Sequence, residues 1–369
     1  MKTSLYRVIL ACGLVLAALV VPVGVAGAAE LTDLNGRKVS VADQVRKISI
    51  DDGRFLVALS LIQPDPVQWL SAWPRDVHRI GEATYAQFLA KFPALRSVPQ
   101  VASSAGSFNL EAVLSAAPDV AVVSVGSGPT EAQTAQLKAA GIPVVFIDFF
   151  DNPFKNQEPS LRILGQLTGG QARAEAFIAW RRAHVDRIAQ RVARLAPNAR
   201  PTVFLEAHAG MTGDCCNSPG KGNMGEYIDF VGGHNIGADV LKAPTGKLNI
   251  EYVMSRDPQV YIATGGAHLE KAGGLVLGAG YDAARARASL AAVAQRQGIA
   301  TLSAVKTGRT FGLAHQLINS PIDIVAIEAF ATWIHPELFK DVDPAKTLAE
   351  INSRFLAVPY QGAGWTSLK

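Results

Sequence analysis

QARAEAFIAWRRAHVDRIAQRVARL, residues Gln171 to Leu195, runs without a glycine or proline between Gly170 and Pro197. Apolar side chains recur at Ala174, Ile178, Val185, Ile188, Val192 and Leu195, which at helical spacing share one face. The spacing predicts a single helix, roughly 37 Å long at the α-helical rise. The sequence on either side has strand-helix-strand character, so a rod of this length reads as a connector between two α/β halves.

The same local pattern lies on both sides of the rod. Leu110 to Leu114 reads as a short amphipathic helix, Ala117-Pro118-Asp119 as a turn, and Val120 to Val125 as a continuous apolar strand buried on both faces. Gly126 ends that strand. A helix from Thr130 to Ala140 and a strand from Val144 to Ile147 complete a βαβ unit with parallel strands. The pattern returns 140 positions later: Ile250 to Met254 overlays Leu110 to Leu114, Pro258 overlays Pro118, Val260 overlays Val120 and Gly266 overlays Gly126. An internal repeat of this kind predicts two similar α/β lobes with parallel sheets joined by one long helix, as residues 29–168, 169–196 and 197–369. Open parallel sheets bind ligands at the carboxyl ends of their strands, which puts a cleft between the lobes.

In the first lobe, Leu34 to Arg37 reads as a tight turn between two short extended pieces, Lys47 to Ile50 as a strand stopped by Asp51-Asp52-Gly53-Arg54, and Phe55 to Ile62 as a helix. Val67 to Trp69 is expected to be another strand. In the second lobe, Thr202 to Leu205 and Thr310 to Leu313 are expected strands.

Of the 369 residues, 49% are apolar and 18% charged, but part of the apolar excess belongs to the first thirty. Lys2 and Arg7 precede an apolar run from Val8 to Val25, and Ala26-Gly27-Ala28 supplies small residues for processing, so residues 1–28 are expected to be a cleaved secretory signal peptide, with an uncleaved membrane anchor as the competing reading. Cys12 has too short an apolar stretch before it for a lipoprotein site. Removing Lys2 and Arg7 lowers the formal charge from +4 to +2. A nucleic-acid partner is not expected, since no basic stripe with interleaved aromatics is present and the chain is exported.

Five motifs in order carry a family resemblance: Asn109 to Val113 with Ala117 to Val120, Gln136 to Val145, Leu161 to Gly169, Met224 to Glu226 through Gly232 to Ile236, and Ala304 to Arg309. With the connecting helix between the third and fourth of these motifs, the chain resembles the substrate-binding proteins of bacterial ABC importers for iron-siderophores, haem and cobalamin. The resemblance implies two Rossmann-like lobes, a periplasmic monomer, a ferric siderophore as ligand with haem or cobalamin as alternatives, no resident cofactor or metal, and an inner-membrane ABC permease as partner. It also implies a Glu at the matching site of each lobe that docks into Arg residues of the permease. Glu131 and Glu226, each opening a helix, are the expected pair; the competing reading is that each complements its helix N-terminus.

Cleft candidates come from loops after strands. Arg54 offers a fixed positive charge to an anionic chelate. Trp73 is expected either to stack on a flat ligand or to pack in the core. Phe149 and Phe150 follow the strand at Val144 to Ile147. The stretch His208-Ala209-Gly210-Met211-Thr212-Gly213-Asp214-Cys215-Cys216 follows Thr202 to Leu205. Adjacent cysteines in an exported protein suit a vicinal disulfide, free thiols, or, with His208 and Asp214, a metal site, although no C-x-x-C or paired-His spacing supports the last. His268, His315 and Gln316 lie beyond other strand ends, each His being more readily a structural residue than a ligand. A secreted metal- or thiol-dependent enzyme built on His208 to Cys216 is the rival from another class. No G-x-S-x-G elbow or P-loop is present.

Overall fold

The computed structural model describes residues 28–75, 80–101, 108–196, 199–318 and 320–369. The expected signal peptide, residues 1–28, falls almost wholly outside them, as does Pro197. Among the described residues no helix is long and apolar enough to cross a membrane.

The N-lobe is built on a four-stranded parallel sheet of β3 (Ile48–Ile50), β4 (Leu70–Ala72), β5 (Val120–Ser124) and β6 (Val144–Ile147), in the order β4-β3-β5-β6. Helices α1 (Arg54–Ile62), α2 (Glu82–Lys91), α3 (Leu110–Ala116), α4 (Glu131–Ala139) and α5 (Pro153–Thr168) accompany it. Residues 67–69 form a 3₁₀ turn, not the expected strand, which begins only at Leu70. The reason is local: Asp65 Oδ1 accepts from the backbone N–H groups of Val67 and Gln68, capping a helical turn.

An antiparallel hairpin, β1 (Ala28–Thr32) and β2 (Lys38–Ala42), turns through Gly36 at φ +73°. Its turn grips the free edge of β6. Leu34 N–H donates to Phe146 O at 3.1 Å, Phe146 N–H to Asp33 Oδ2 at 3.2 Å, and Arg37 Nη2 to Val144 O at 2.7 Å. Edge groups that would otherwise invite pairing with another chain are thereby covered.

The connecting helix α6 spans Gln171–Val192, about 33 Å. The last three residues expected in it continue as tighter turns, with Arg194 N–H on Arg191 O and Leu195 N–H on Val192 O. Ala174, Ile178 and Ile188 are buried as the spacing predicts, and Phe177 and Arg181 join them.

The C-lobe sheet has the order β13-β12-β11-β7-β9, with β7 (Thr202–Glu206), β9 (His234–Asn235), β11 (Val260–Gly265) and β12 (Thr310–Ala314) parallel and the edge strand β13 (Trp365–Ser367) antiparallel. A small ribbon pairs β8 (Asn217–Pro219) with β10 (Thr245–Lys247). The helices used below are α7 (Met224–Phe230), α8 (Ile250–Arg256), α9 (Ala283–Ala294), α10 (Ser303–Lys306), α11 (His315–Ile318), α12 (Ile324–Ile334) and α13 (Pro344–Arg354).

The repeat is real at the level of capping. Asn109 and Asn249 both accept backbone bonds from the first turns of α3 and α8, and both helices end on a left-handed residue, Ala117 at φ 43° and Asp257 at φ 38°. The lobes also share one continuous apolar core that runs through α6. Across that junction Arg181 pairs with Asp323 at 2.8 and 2.7 Å, both side chains being buried, and Tyr227 Oη donates to Asp323 Oδ2 and Ile318 O. The chain after α13 returns to the N-lobe. Ala357 N–H donates to Ser60 O, Lys91 Nζ to Ala357 O, and Arg173 to Phe355 O.

Candidate functional site

Parallel register brings three histidines to one place. His208 comes two residues after β7, His268 three after β11 and His315 directly after β12, and these strands are neighbours in the sheet. His208 Nδ1 lies 2.9 Å from His268 Nε2, and the His208 and His315 ring centroids are 3.9 Å apart. Thr264 ties the group together: its Oγ1 accepts from His208 N–H at 3.1 Å and contacts His315 Nδ1 at 3.0 Å. His208 is held at φ +53°, a conformation few non-glycine residues adopt. Gly210 follows because a Cβ there would come within 2.7 Å of Gly274 Cα.

Burial, and secondarily the neighbouring His268, pushes the His208 imidazole down to about 4, so it is neutral at neutral pH. Its Nδ1 is engaged with His268, which leaves Nε2 as the atom it can present to a ligand. A neutral imidazole at the end of a sheet can accept a hydrogen bond or complete the coordination of a metal that a chelate already holds. Among the described residues no group of three His, Cys, Asp or Glu is arranged to hold a bare metal ion.

The N-lobe face of the cleft is more self-contained. Arg54 makes a two-pronged pair with the buried Asp52, at 3.0 and 2.7 Å, and lies 3.2 Å over the Phe150 ring. Phe150 in turn lies parallel to Phe55, with centroids 6.1 Å apart. The expected lone cation of Arg54 therefore arrives with its counter-ion, and Phe150 is 8% exposed. Trp73 is a plain correction. It is 1% exposed and packs on Tyr85, so its indole serves the N-lobe core and not a ligand. Asp51, buried at the end of β3, is pushed up to about 7 by desolvation, against the opposing hydrogen bonds from Ser124.

The lobes touch across the cleft. Asn223 Nδ2 donates to Phe150 O at 2.5 Å, and Phe154 packs on Tyr227 and Phe230. Gln316 lines a cavity of about 10 Å³, room for one water, between Ile80 and Thr84 of the N-lobe and Tyr360 of the C-lobe. Met211 stands 45% exposed on the loop after His208.

At the far end of that loop Cys215 and Cys216 are joined to each other. Cys216 is fully buried, which removes it from direct ligand contact, while Cys215 is half-buried beside α8. Asp214, grouped with them in the sequence as a metal ligand, pairs with Lys247 at 2.9 Å instead.

The two expected docking glutamates do not match. Glu131 is the first residue of α4 and exposed, and the repeat maps it onto Lys271. Glu226 sits within the buried start of α7, next to the lobe junction, and desolvation, with Asp229 nearby, raises its carboxyl. The acidic pair that the repeat does relate is Glu111 and Glu251, both exposed in the first turns of α3 and α8. That pairing was already legible in the 140-residue spacing.

A family model for periplasmic binding proteins matches residues 59–317, most of the chain. The chain belongs to the periplasmic binding protein family. Periplasmic binding proteins are a solute-binding transport class that works in the periplasm with the permeases of ABC importers, and this one shares their two-lobed fold. Among solved structures it is similar to the TroA-like periplasmic binding protein FepB from Veillonella parvula, at 25% identity over 92% of this chain and 99% of that one, with a TM-score of 0.83. It also resembles the molybdate periplasmic binding protein MolA from Haemophilus influenzae, at 16% identity, 90% and 99% coverage and a TM-score of 0.69. The periplasmic heme-binding protein RhuT from Roseiflexus sp. RS-1 matches at 16% identity, 80% and 99% coverage and 0.57. These last two likenesses are of fold alone. No curated protein matches the sequence significantly.

Proposed function

We propose that this periplasmic binding protein captures a ferric siderophore between its lobes and delivers it, without chemical change, to an ABC permease. The observation that carries the reading is the neutral His208 imidazole, grouped with His268 and His315 at the strand ends of the C-lobe. Such a nitrogen suits a metal whose chelator leaves a coordination position open. The same nitrogen also suits an axial ligand for haem, and this is the second reading.

The test is absorption spectroscopy with ferric siderophores, their iron-free forms, haemin and cyanocobalamin. Tryptophan quenching is a weaker readout, because Trp73 is buried and packed on Tyr85. A saturable shift in one ferric siderophore's charge-transfer band, weakened about tenfold or more in His208→Ala, is the expected result. A Soret shift with haemin and no response to siderophores transfers the assignment to haem, and silence toward every compound removes both.

For the permease contact, Glu111 and Glu251 are the better-supported pair. They are related by the repeat, both are exposed, and each sits at the capped start of a short helix. Two like carboxylates at pseudo-symmetric positions suit bidentate pairing with permease arginines and fix the register of docking.

A further inference from the structure

We propose that the Cys215–Cys216 disulfide is a reversible thiol–disulfide exchange site, worked by a dithiol reductant, that sets the conformation of the cleft loop 207–217. The inference rests on the cleft assignment above and adds a form of regulation to it.

A structural staple is a poor account of this bond. Disulfide stabilisation grows with the length of chain enclosed, and this one joins adjacent residues. Its position is more informative. The loop is closed at its base by Ala207 N–H on Asn217 O at 2.8 Å, with His208 at the start of the loop and the cysteines at its return. Cys216 O accepts from Leu248 N–H at 2.9 Å, and the next residue, Asn249, caps α8. The disulfide thus lies where the loop bearing His208 meets the helix bearing Glu251.

Access is one-sided. Cys215 lines an open groove of about 950 Å³ together with Lys247, Leu248, Ile250 and Met254, whereas Cys216 is fully buried. A thiolate entering the groove reaches the Cys215 sulfur. Attack there forms a mixed disulfide with Cys215, breaks the bond to Cys216, and releases the Cys216 thiolate, which takes up a proton. The reductant's second thiol then attacks its own sulfur in the mixed disulfide and frees Cys215 as a thiol. One protein disulfide and one dithiol become two protein thiols and one oxidised reductant, a transfer of two electrons and two protons. The charged side chains lining the groove are Lys247, paired with Asp214 at 2.9 Å, and Glu251, so access rather than charge favours attack at Cys215.

The test uses the whole exported chain, equilibrated with graded mixtures of reduced and oxidised dithiothreitol. Free thiols are trapped by alkylation and located by peptide mass, with hydrogen exchange followed in parallel. Under native conditions the 207–217 segment gains two alkyl groups, and amide exchange in 208–217 and 248–254 rises about tenfold while other segments and the thermal midpoint hold. The double variant Cys215→Ser with Cys216→Ser reproduces the reduced pattern without reductant. Alkylation that appears only on global unfolding, or reduction that leaves exchange in the loop unchanged, overturns the proposal. None of these readouts needs a cleft ligand, so a silent ligand panel defeats the siderophore reading while leaving the exchange site to be judged by itself.

Discussion

Helix α3 in the N-lobe and helix α8 in the C-lobe start from the same asparagine cap, end on the same left-handed turn and feed strands that are buried throughout. The loops that leave the cleft ends of the two sheets differ in kind. On the N-lobe side, Arg54, Asp52, Phe150 and Phe55 satisfy one another. On the C-lobe side, the His208 ring bonds through Nδ1 and packs on His315; His268 and Met211 are exposed, and the loop carrying His208 and Met211 ends in a disulfide. Duplicated architecture therefore supplies matched scaffold, while the unsatisfied cleft side chains gather on one lobe; under the proposed function, docking falls to the matched pair and recognition to the C-lobe.

The most severe challenge to that picture is to ask whether the lobes are separate units at all. Arg181→Met leaves Asp323 buried without its counter-charge, at a cost of about 3–5 kcal/mol. Urea unfolding should stay a single transition with a lower midpoint; a split into two transitions, with one unmoved, would mean that the shared core does not couple the lobes. Next in size is docking. Glu111→Ala and Glu251→Ala should each cut cellular uptake about tenfold with solution affinity intact, while Glu131→Ala and Glu226→Ala change uptake little. If Glu131→Ala is the damaging substitution, the repeat is not what orients the permease.

The caps offer a finer comparison. Asn109→Ala and Asn249→Ala should each cost about 1 kcal/mol in denaturant unfolding, and a clear inequality would show that the copies are alike in shape but not in energy.

A further comparison is in pH dependence, where the lobes pull in opposite directions. Asp51 has its folded value raised from an ordinary 3.8 to about 7, so its contribution is complete at low pH and is lost as pH rises toward 7. His208 is lowered from an ordinary 6.5 to about 4, so its contribution is complete above about 6.5 and is lost as pH falls toward 4. Between these limits Asp51→Asn should make stability climb more steeply with pH, and His208→Asn should flatten the climb. Unfolding free energies measured from pH 4 to 7 give the two slopes, and slopes that move together would contradict the assignment.

What could be read from the sequence follows from range. The rod, the repeat and strands such as β5 and β6 were legible because a periodicity or an apolar run is complete within a short window. Val67 to Trp69 reads as a strand because the apolar run is complete in a short window, whereas its turn depends on the Asp65 carboxylate accepting from Val67 and Gln68 N–H. The histidine group was hidden because its members are separated by about fifty residues each, and only the adjacency of β7, β11 and β12 unites them. Side chains consumed by neighbours were hidden too. Nothing local distinguishes a Trp73 buried on Tyr85 from one open to a ligand, whereas the spacing Asp52-Gly53-Arg54 did carry a hint of self-pairing.

The grip of the amino-terminal hairpin on β6 has a bearing on the order of assembly. Asp33 and Arg37 are among the first described residues to be made, and Phe146 belongs to the last strand of the N-lobe sheet. The lobe's beginning is fastened to its end, so the seal closes as soon as β6 emerges and needs no residue of the C-lobe. A chain delivered amino-terminus first consequently exposes that strand's open side for the shortest time, when crowding by identical half-made neighbours is the main hazard.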